Sequence, residues 1–285
     1  MKVMGVLFGA AALMTPQQAF SEEILGTDPA SPGHFQVEQR FGYFTTFNPP
    51  TAAPKGANLR ALTGETEIGY GVNDWYEVAV TTPYAFARGN ASAMPGAASL
   101  PGYGLQTGGV TFRQTFMQPD REERNLFFGL VIRGIYAPPG ALIPDLFVPR
   151  SSVPILAGLP GPRFVQEASP RFAGMFTPIV GVRFGNDYEA IFNANMTVGF
   201  DRPGSAFEPS LRVVKQVTDN WKIGFEHFAN LGPIGHVVPW KQQSQVLYAV
   251  ANTKFKGFEL SFGAGYGLTE ASRGPALKLS IGRDF

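Results

Sequence analysis

Pro275-Ala-Leu-Lys-Leu-Ser-Ile-Gly-Arg-Asp-Phe285, at the end of the chain, is the stretch that decides the fold. Its apolar residues Leu277, Leu279, Ile281 and Phe285 alternate with Lys278, Ser280, Gly282 and Asp284. A β-strand with this pattern has one apolar and one polar face. The sequence therefore predicts a two-faced strand that ends on an aromatic residue.

Alternation of the same kind predicts eleven more strands upstream. Their apolar sets run over 35–43, 62–72, 76–86, 110–116, 126–136, 172–184, 192–200, 207–217, 223–225, 246–250 and 258–268. We assign all of these sets to one face of the sheet, including Val246, Tyr248 and Val250 of the tenth strand. The opposite face is mostly Gly, Thr, Ser and Asn with isolated charges, which favours a wet interior over a solvated exterior. A soluble β-sandwich or barrel, which also alternates, is the alternative.

The connections between these strands alternate in length. Short turns at 73–74, 118–124, 185–187, 218–220 and 254–257 are separated by longer, often proline-rich segments. Aromatic residues mark the strand ends at Trp75, Tyr76, Tyr136, Tyr188 and Trp221. The pattern predicts an all-β fold, a transmembrane antiparallel meander β-barrel of about twelve strands with short periplasmic turns and longer extracellular loops. Its terminal strand resembles that of outer-membrane barrels and should pair with the strand of Phe41 and Tyr43 to close the barrel.

The first residues have the pattern of an export signal. Lys2 precedes an apolar run over 3–14 that is too short to span a bilayer, and Ala19-Phe20-Ser21 suits a signal peptidase. A membrane-anchoring helix is the alternative. We therefore predict a signal peptide over 1–21, a periplasmic lead-in over 22–33 and the barrel over 34–285.

Composition excludes several classes of function. The chain has 25 Phe, 34 Gly and 24 Pro but no Cys, so disulfides and thiolate metal sites are absent. A formal charge of +1 gives no reason to expect a nucleic-acid partner. No phosphate-binding glycine motif is present, and we predict no cofactor and no metal site.

The polar face carries charges that should line the barrel lumen. Glu38, Glu65, Glu67 and Glu77 come from the first three strands, and Arg113, Arg133, Arg183 and Arg212 from later ones. An acidic arc facing a basic arc would create a transverse field that orients a polar solute. Alternatively, the charges pair with one another and close the interior as a structural network. The proline-rich segment 138–170 is predicted to pack on the barrel mouth or fold inward as a constriction, with a mobile surface loop as the alternative.

An enzyme is the rival class of function. The chain has three histidines, His34, His227 and His236, and only His227 falls near serines at the outer rim, Ser205 and Ser244. No pairing of nucleophile and base is visible, so we predict no catalytic residue. A purely structural barrel and an adhesin also remain open from the sequence.

The hairpin that starts Leu62-Thr-Gly-Glu-Thr-Glu-Ile-Gly-Tyr-Gly-Val-Asn-Asp-Trp-Tyr and ends Thr-Pro-Tyr84 resembles the phenol-degradation MetA-pathway family of outer-membrane proteins. The likeness extends over 34–86 and returns at Val217-Thr-Asp-Asn-Trp221. It implies an outer-membrane location and passive transport of a small hydrophobic or aromatic solute. The expected partners are outer-membrane lipid and lipopolysaccharide, that solute, and the barrel-assembly machinery, recognised through Phe285.

Overall fold

The computed structural model describes residues 23–26, 30–47, 58–89, 105–107, 109–136, 171–201, 204–270 and 272–285. The predicted signal peptide and the segment 138–170 lie outside these ranges. The strands are β1 (Phe35–Phe47), β2 (Asn58–Asn73), β3 (Tyr76–Gly89), β4 (Leu105–Thr107), β5 (Val110–Met117), β6 (Leu126–Tyr136), β7 (Phe172–Phe184), β8 (Tyr188–Gly199), β9 (Ser205–Thr218), β10 (Trp221–Asn230), β11 (Ser244–Phe255), β12 (Phe258–Gly267) and β13 (Pro275–Asp284).

These strands form one closed antiparallel sheet. Each long strand pairs with its neighbours in sequence, and β13 pairs with β1, with Leu279 opposite Phe41 and Leu277 opposite Tyr43. Short strand β4 pairs with β3 just beyond β5, so β4 and β5 act as one interrupted strand. The predicted closed meander barrel of twelve strands is therefore confirmed, and closure leaves no long edge unpaired.

The barrel exterior is apolar because alternate residues of each long strand point outward. Phe112 and Phe225 are each 60% exposed and Ile68 is 53% exposed, whereas inward-facing Thr63, Glu67 and Thr177 are buried. Exposed apolar side chains around a polar interior are the arrangement of transmembrane barrels. Within the described ranges, no helix has the length and apolar content that crossing a membrane requires.

The inner and outer faces of strand β11 are the reverse of the prediction. Val246, Tyr248 and Val250 are buried on the inner face, and Leu247 is exposed on the outer face. The assignment of this apolar set to the exterior was wrong. Both faces of β11 carry apolar residues, since Ala249 and Ala251 alternate with the buried set, so a period of two could not choose between them.

Turn lengths position the two rims of the barrel as predicted. The connections β2–β3, β7–β8, β9–β10 and β11–β12 are tight turns, and β1 begins and β13 ends at this same rim. In barrels of this kind the short-turn rim is periplasmic. Trp75, Tyr188 and Trp221 are exposed at this rim and Tyr136 is exposed at the opposite one, which is where an aromatic girdle lies.

Candidate functional site

The chain segment before β1 lies inside the barrel rather than on its periplasmic side. Ile24 and Leu25 are 4% and 3% exposed. They pack against inward-facing apolar residues of four strands: Met117, Phe127, Val131, Ile179 and Ile191. We call residues 23–26 the plug. The expectation that all of 22–33 forms a periplasmic lead-in is corrected for these residues, because their apolar side chains are buried on the barrel wall.

Backbone contacts fix the depth of the plug. The Leu25 N–H donates to Asn193 Oδ1 at 2.8 Å, and Asn193 Nδ2 donates to the Leu25 carbonyl at 3.2 Å. Nearer the periplasm, the Ala30 N–H donates to Glu77 Oε2 at 2.7 Å, and the Gly33 N–H donates to the Gly71 carbonyl at 2.7 Å. Gly71 is required here, because a Cβ at this position would lie 2.4 Å from the Ser31 carbonyl oxygen.

Glu23 is the charged end of the plug and contacts three arginines from three strands. Its carboxylate lies 2.9 Å from Arg40, 3.0 Å from Arg113 and 2.8 Å from Arg133. Burial alone would raise the pKa of the Glu23 carboxyl, but these guanidiniums outweigh burial and hold that pKa well below its usual range. The plug therefore carries a stable negative charge into the centre of the barrel.

The same arginines also contact carboxylates of the barrel wall. Arg40 pairs with Glu38 on its own strand and with Glu65 and Glu67 of β2, the last two at 3.2 Å. Arg113 pairs with Glu67 at 2.7 Å and with Glu77. Five carboxylates and three guanidiniums thus form one network, which we call the latch: Glu23, Glu38, Glu65, Glu67, Glu77, Arg40, Arg113 and Arg133.

Six of the eight residues predicted to line the lumen lie in the latch. The other two lie elsewhere: Arg183 pairs with Glu189 at 3.1 Å near the periplasmic turns, and Arg212 faces Glu226 across β9 and β10. The predicted acidic and basic arcs are not held apart, because Arg113 contacts Glu67 and Glu77 directly. A transverse field between separate arcs is therefore not what these contacts create.

Sequence reasoning missed Glu23 as a lumen residue. The contacts that bring it there span long distances in sequence, so no local pattern reports them. The sequence contained one sign of this location, the apolar pair Ile24-Leu25 within an otherwise polar segment. A solvated periplasmic segment would gain no stability from these apolar side chains. Arg40 of β1 contacts four of the five carboxylates of the latch: Glu23, Glu38, Glu65 and Glu67.

Three carboxylates of the latch also approach the geometry of a metal site. Oxygens of Glu23, Glu38 and Glu67 lie within 4.8 Å of one another. Arg40 donates to all three carboxylates, at 2.9 Å to Glu23 and 3.2 Å to Glu67. The positive charge that such a cluster needs is thus supplied by a guanidinium.

Beside the latch, the lumen contains a cavity of about 230 Å³. The plug and the latch residues Glu38, Arg40, Glu77 and Arg113 line one side of it, and the inner faces of β9–β13 line the other. The cavity reaches the periplasmic rim, because its lining includes Asp219 and Asn220 of the β9–β10 turn. Water and small solutes can therefore enter this half of the lumen from the periplasm while the plug is in place.

Arg212, Glu226 and Lys278 lie together in the wall of this cavity. Lys278 forms an ion pair with Glu226, and Arg212 Nε lies 3.8 Å from the other oxygen of the same carboxylate. Behind Lys278, an apolar cluster covers the barrel wall: Val214, Phe228, Val246, Tyr248, Val250 and Ala276. Lys278 and Arg212 are thus placed between a polar cavity and an apolar patch.

The histidines considered for catalysis have other contacts. His227 Nε2 lies 3.1 Å from Gln245 Oε1, and His34 Nδ1 lies 3.1 Å from the carbonyl of the terminal Phe285. Ser205 Oγ accepts from the Ile234 N–H at 3.2 Å. These contacts bind strand ends and loops together.

The fold resembles those of several solved outer-membrane proteins. An outer membrane channel from Pseudomonas putida F1 has a TM-score of 0.62 over 92% of this chain and 100% of that chain, at 13% identity. The translocator domain of the autotransporter NalP from Neisseria meningitidis has a TM-score of 0.49, covering 91% of each chain at 10% identity. No family model and no curated protein matches the sequence.

The chain folds as a bacterial outer-membrane β-barrel. At these identities the likeness concerns the fold alone, and it agrees with the apolar exterior and closed ladder described above. The location and architecture implied by the resemblance at 34–86 are confirmed.

Proposed function

We propose that this protein is a passive outer-membrane channel for a small solute. The observation that carries the proposal is the cavity of about 230 Å³ inside the closed barrel, continuous with the periplasmic rim. A barrel of this size that served only as a scaffold could fill its interior with side chains. This one leaves a polar space beside the plug, as a conduction path requires.

The plug makes the channel a closed or narrow one at rest. Glu23 and its arginines fill the lumen beside β1–β6, so the remaining path runs along β9–β13. Undocking of residues 23–26 would widen this path without moving any strand, since the ladder of the barrel is complete without them. The resemblance to the MetA-pathway family suggests a hydrophobic or aromatic solute.

Membrane lipid and the assembly machinery are the other proposed partners. The exposed apolar belt faces lipid, and lipopolysaccharide would contact its outer rim. Phe285 is 65% exposed, while its N–H donates to the Phe35 carbonyl at 2.7 Å. The terminal aromatic ring is thus available to an assembly factor although the backbone is already paired.

A barrel with a closed lumen is the second candidate. It is favoured by the latch, in which Glu67 is 1% exposed and every carboxylate has an arginine partner. A network of this kind can stabilise a barrel without any role in transport.

Conductance of the purified protein in planar bilayers, combined with solute-driven swelling of proteoliposomes, separates the two candidates. A channel gives discrete current steps in the wild type and larger ones when residues 23–26 are removed. Absence of current and of swelling in both proteins would reject the channel and leave the structural barrel.

A further inference from the structure

The charged cluster in the cavity wall is unbalanced. Arg212 of β9 and Lys278 of β13 both face the carboxylate of Glu226 on β10. Elsewhere in the lining of this cavity, Glu23 and Glu38 contact Arg40, and Lys254 pairs with Glu259. Within the Arg212–Glu226–Lys278 cluster itself, two cations face one carboxylate.

Arg212 uses little of its hydrogen-bonding capacity. Its side chain is 4% exposed, and among the described residues its closest acidic partner lies at 3.8 Å, beyond hydrogen-bond distance. Its buried Nε has no acceptor. Arg113 and Arg133 also leave Nε without an acceptor, but their terminal nitrogens bind carboxylates at 3.0 Å or less. A buried guanidinium with spare donors beside a cavity is costly unless an anion completes it.

Lys278 is held at the cavity wall by the residues around it. Its stem crosses Gly263, where a Cβ would lie 2.6 Å from Lys278 Cγ. Its ammonium lies 4.7 Å from the centre of the Phe228 ring and 5.4 Å from that of Tyr248. Tyr248 in turn covers Gly265, where a Cβ would lie 2.6 Å from Cδ1 of the ring. Two glycines and two aromatic rings therefore position this amine in advance.

We propose that Arg212 and Lys278 form a subsite for the carboxylate of a small organic monoanion that enters the cavity. Glu226 holds the two cations side by side, and Phe228 and Tyr248 are positioning residues for Lys278. The cavity of about 230 Å³ has room for several waters, and therefore for the carboxylate of a small organic anion. This subsite rests on the proposed function, because it names the class of solute that the lumen would select.

A charge series of equal size and shape tests the subsite. Benzoate, neutral benzamide and cationic benzamidinium are titrated by calorimetry into the full-length mature protein folded in detergent. The subsite predicts that benzoate binds at least about tenfold more tightly than benzamide, since a charge-assisted contact is about twice as strong as a neutral one. Benzamidinium should show no binding at the same concentrations.

Substitutions that remove either a positive or a negative charge from the cluster separate a binding role from a structural one. Arg212→Gln and Lys278→Gln should each weaken benzoate binding about tenfold, while leaving Glu226 one cation. Glu226→Gln should tighten binding, because both cations are then released to the ligand. Arg183→Gln removes the same charge from the barrel interior outside the cavity and should leave the benzoate Kd unchanged.

The outcomes distinguish this inference from the proposed function. Equal binding of benzoate and benzamide, or weaker binding after Glu226→Gln, overturns the subsite even if the protein conducts. Charge-ordered binding in a protein that passes no current supports the subsite and rejects the channel. If Arg212→Gln fails to fold, as heat-modifiable gel mobility would show, the Glu226→Gln result decides, because that variant retains both cations.

Discussion

The two sides of the lumen carry the same kinds of charged side chain, but their arginines differ in how closely carboxylates approach them. On the latch side, between β1 and β6, Arg113 holds Glu23 and Glu67 at 3.0 and 2.7 Å. On the cavity side, between β9 and β13, Arg212 has a carboxylate no closer than 3.8 Å. The difference is the plug, which brings Glu23 to one side only. Both arginines line the cavity, but Arg113 is neutralised by carboxylates in direct contact, whereas Arg212 is not.

Removal of the plug should have the largest effect on this contrast. Deletion of residues 23–26 removes Glu23 from the latch and leaves Arg133 without this partner, so the space that the plug fills becomes open to water. We expect the single-channel conductance to rise several-fold, because the conducting cross-section then includes the space that the plug fills. Bilayer recordings of the deleted and wild-type proteins measure this rise.

Equal conductance in the two proteins would show that the plug does not limit the path. A folded barrel is expected in both cases, because no strand residue is removed and closure depends on β1 and β13. Heat-modifiable gel mobility provides that control.

Neutralising Glu23 should have a smaller effect of the same sign. Glu23→Gln leaves the apolar side chain of Ile24 in place but weakens contacts to three arginines, at a cost on the order of 3 kcal/mol to plug docking. A cysteine introduced by Leu25→Cys reports undocking, because the chain has no other cysteine. We expect faster labelling by a membrane-impermeant thiol reagent in the Glu23→Gln background.

Glu122→Gln is the matched control, since Glu122 is an exposed carboxylate in the β5–β6 turn. Its labelling rate should equal that of Leu25→Cys alone. A Glu23→Gln rate no faster than this control would contradict an electrostatic role for the latch in plug docking.

The pH dependence of the latch follows from the lowered pKa of Glu23. When the plug is docked, the pKa of the Glu23 carboxyl lies below its ordinary value of 4.5. Ionised Glu23 therefore stabilises docking at pH values above 4.5, and this stabilisation is lost as the pH falls through the pKa of the docked state. We therefore expect constant conductance from pH 8 down to about pH 5, and an increase only at lower pH. Recordings at stepped pH measure the window.

Glu65 and Glu67 share arginines with Glu23, so they could also respond to acid. The Glu23→Gln protein separates the contributions, because any acid response that it retains belongs to the wall carboxylates. A rise in wild-type conductance already between pH 8 and about pH 6 would contradict the assignment.

The smallest expected effect is at the entrance of the plug. Gly71→Ala places a Cβ 2.4 Å from the Ser31 carbonyl oxygen and 2.5 Å from that of Ala30, so the backbone leading to the plug must shift. We expect a modest increase in Leu25→Cys labelling, below that of Glu23→Gln. Gly134→Ala is the control, since a Cβ there has no atom within 4 Å. Equal rates in the two glycine variants would show that the close approach at Gly71 is unimportant.

Much of the barrel was predictable because a transmembrane strand must alternate. Phe112, Phe225 and Leu277 are exposed as predicted, and the turn residues alone placed the two rims. Alternation could not assign the faces of strand β11. Its residues Val246, Tyr248 and Val250 line the apolar patch behind Lys278, and apolar residues also cover its outer face. Where both faces of a strand are apolar, only the closed sheet shows which face lies inside.

The sequence by itself determined the twelve strands, their short periplasmic turns and the closing role of the terminal strand, because alternation and turn chemistry are local and lipid demands an apolar exterior. Only the tertiary structure decided what fills the interior. Glu23 meets Arg133 from 110 positions away, and Lys278 meets Glu226 from 52. Contacts at such separations depend on which inward side chains the closed barrel brings to the same height, and no local pattern in the sequence records that.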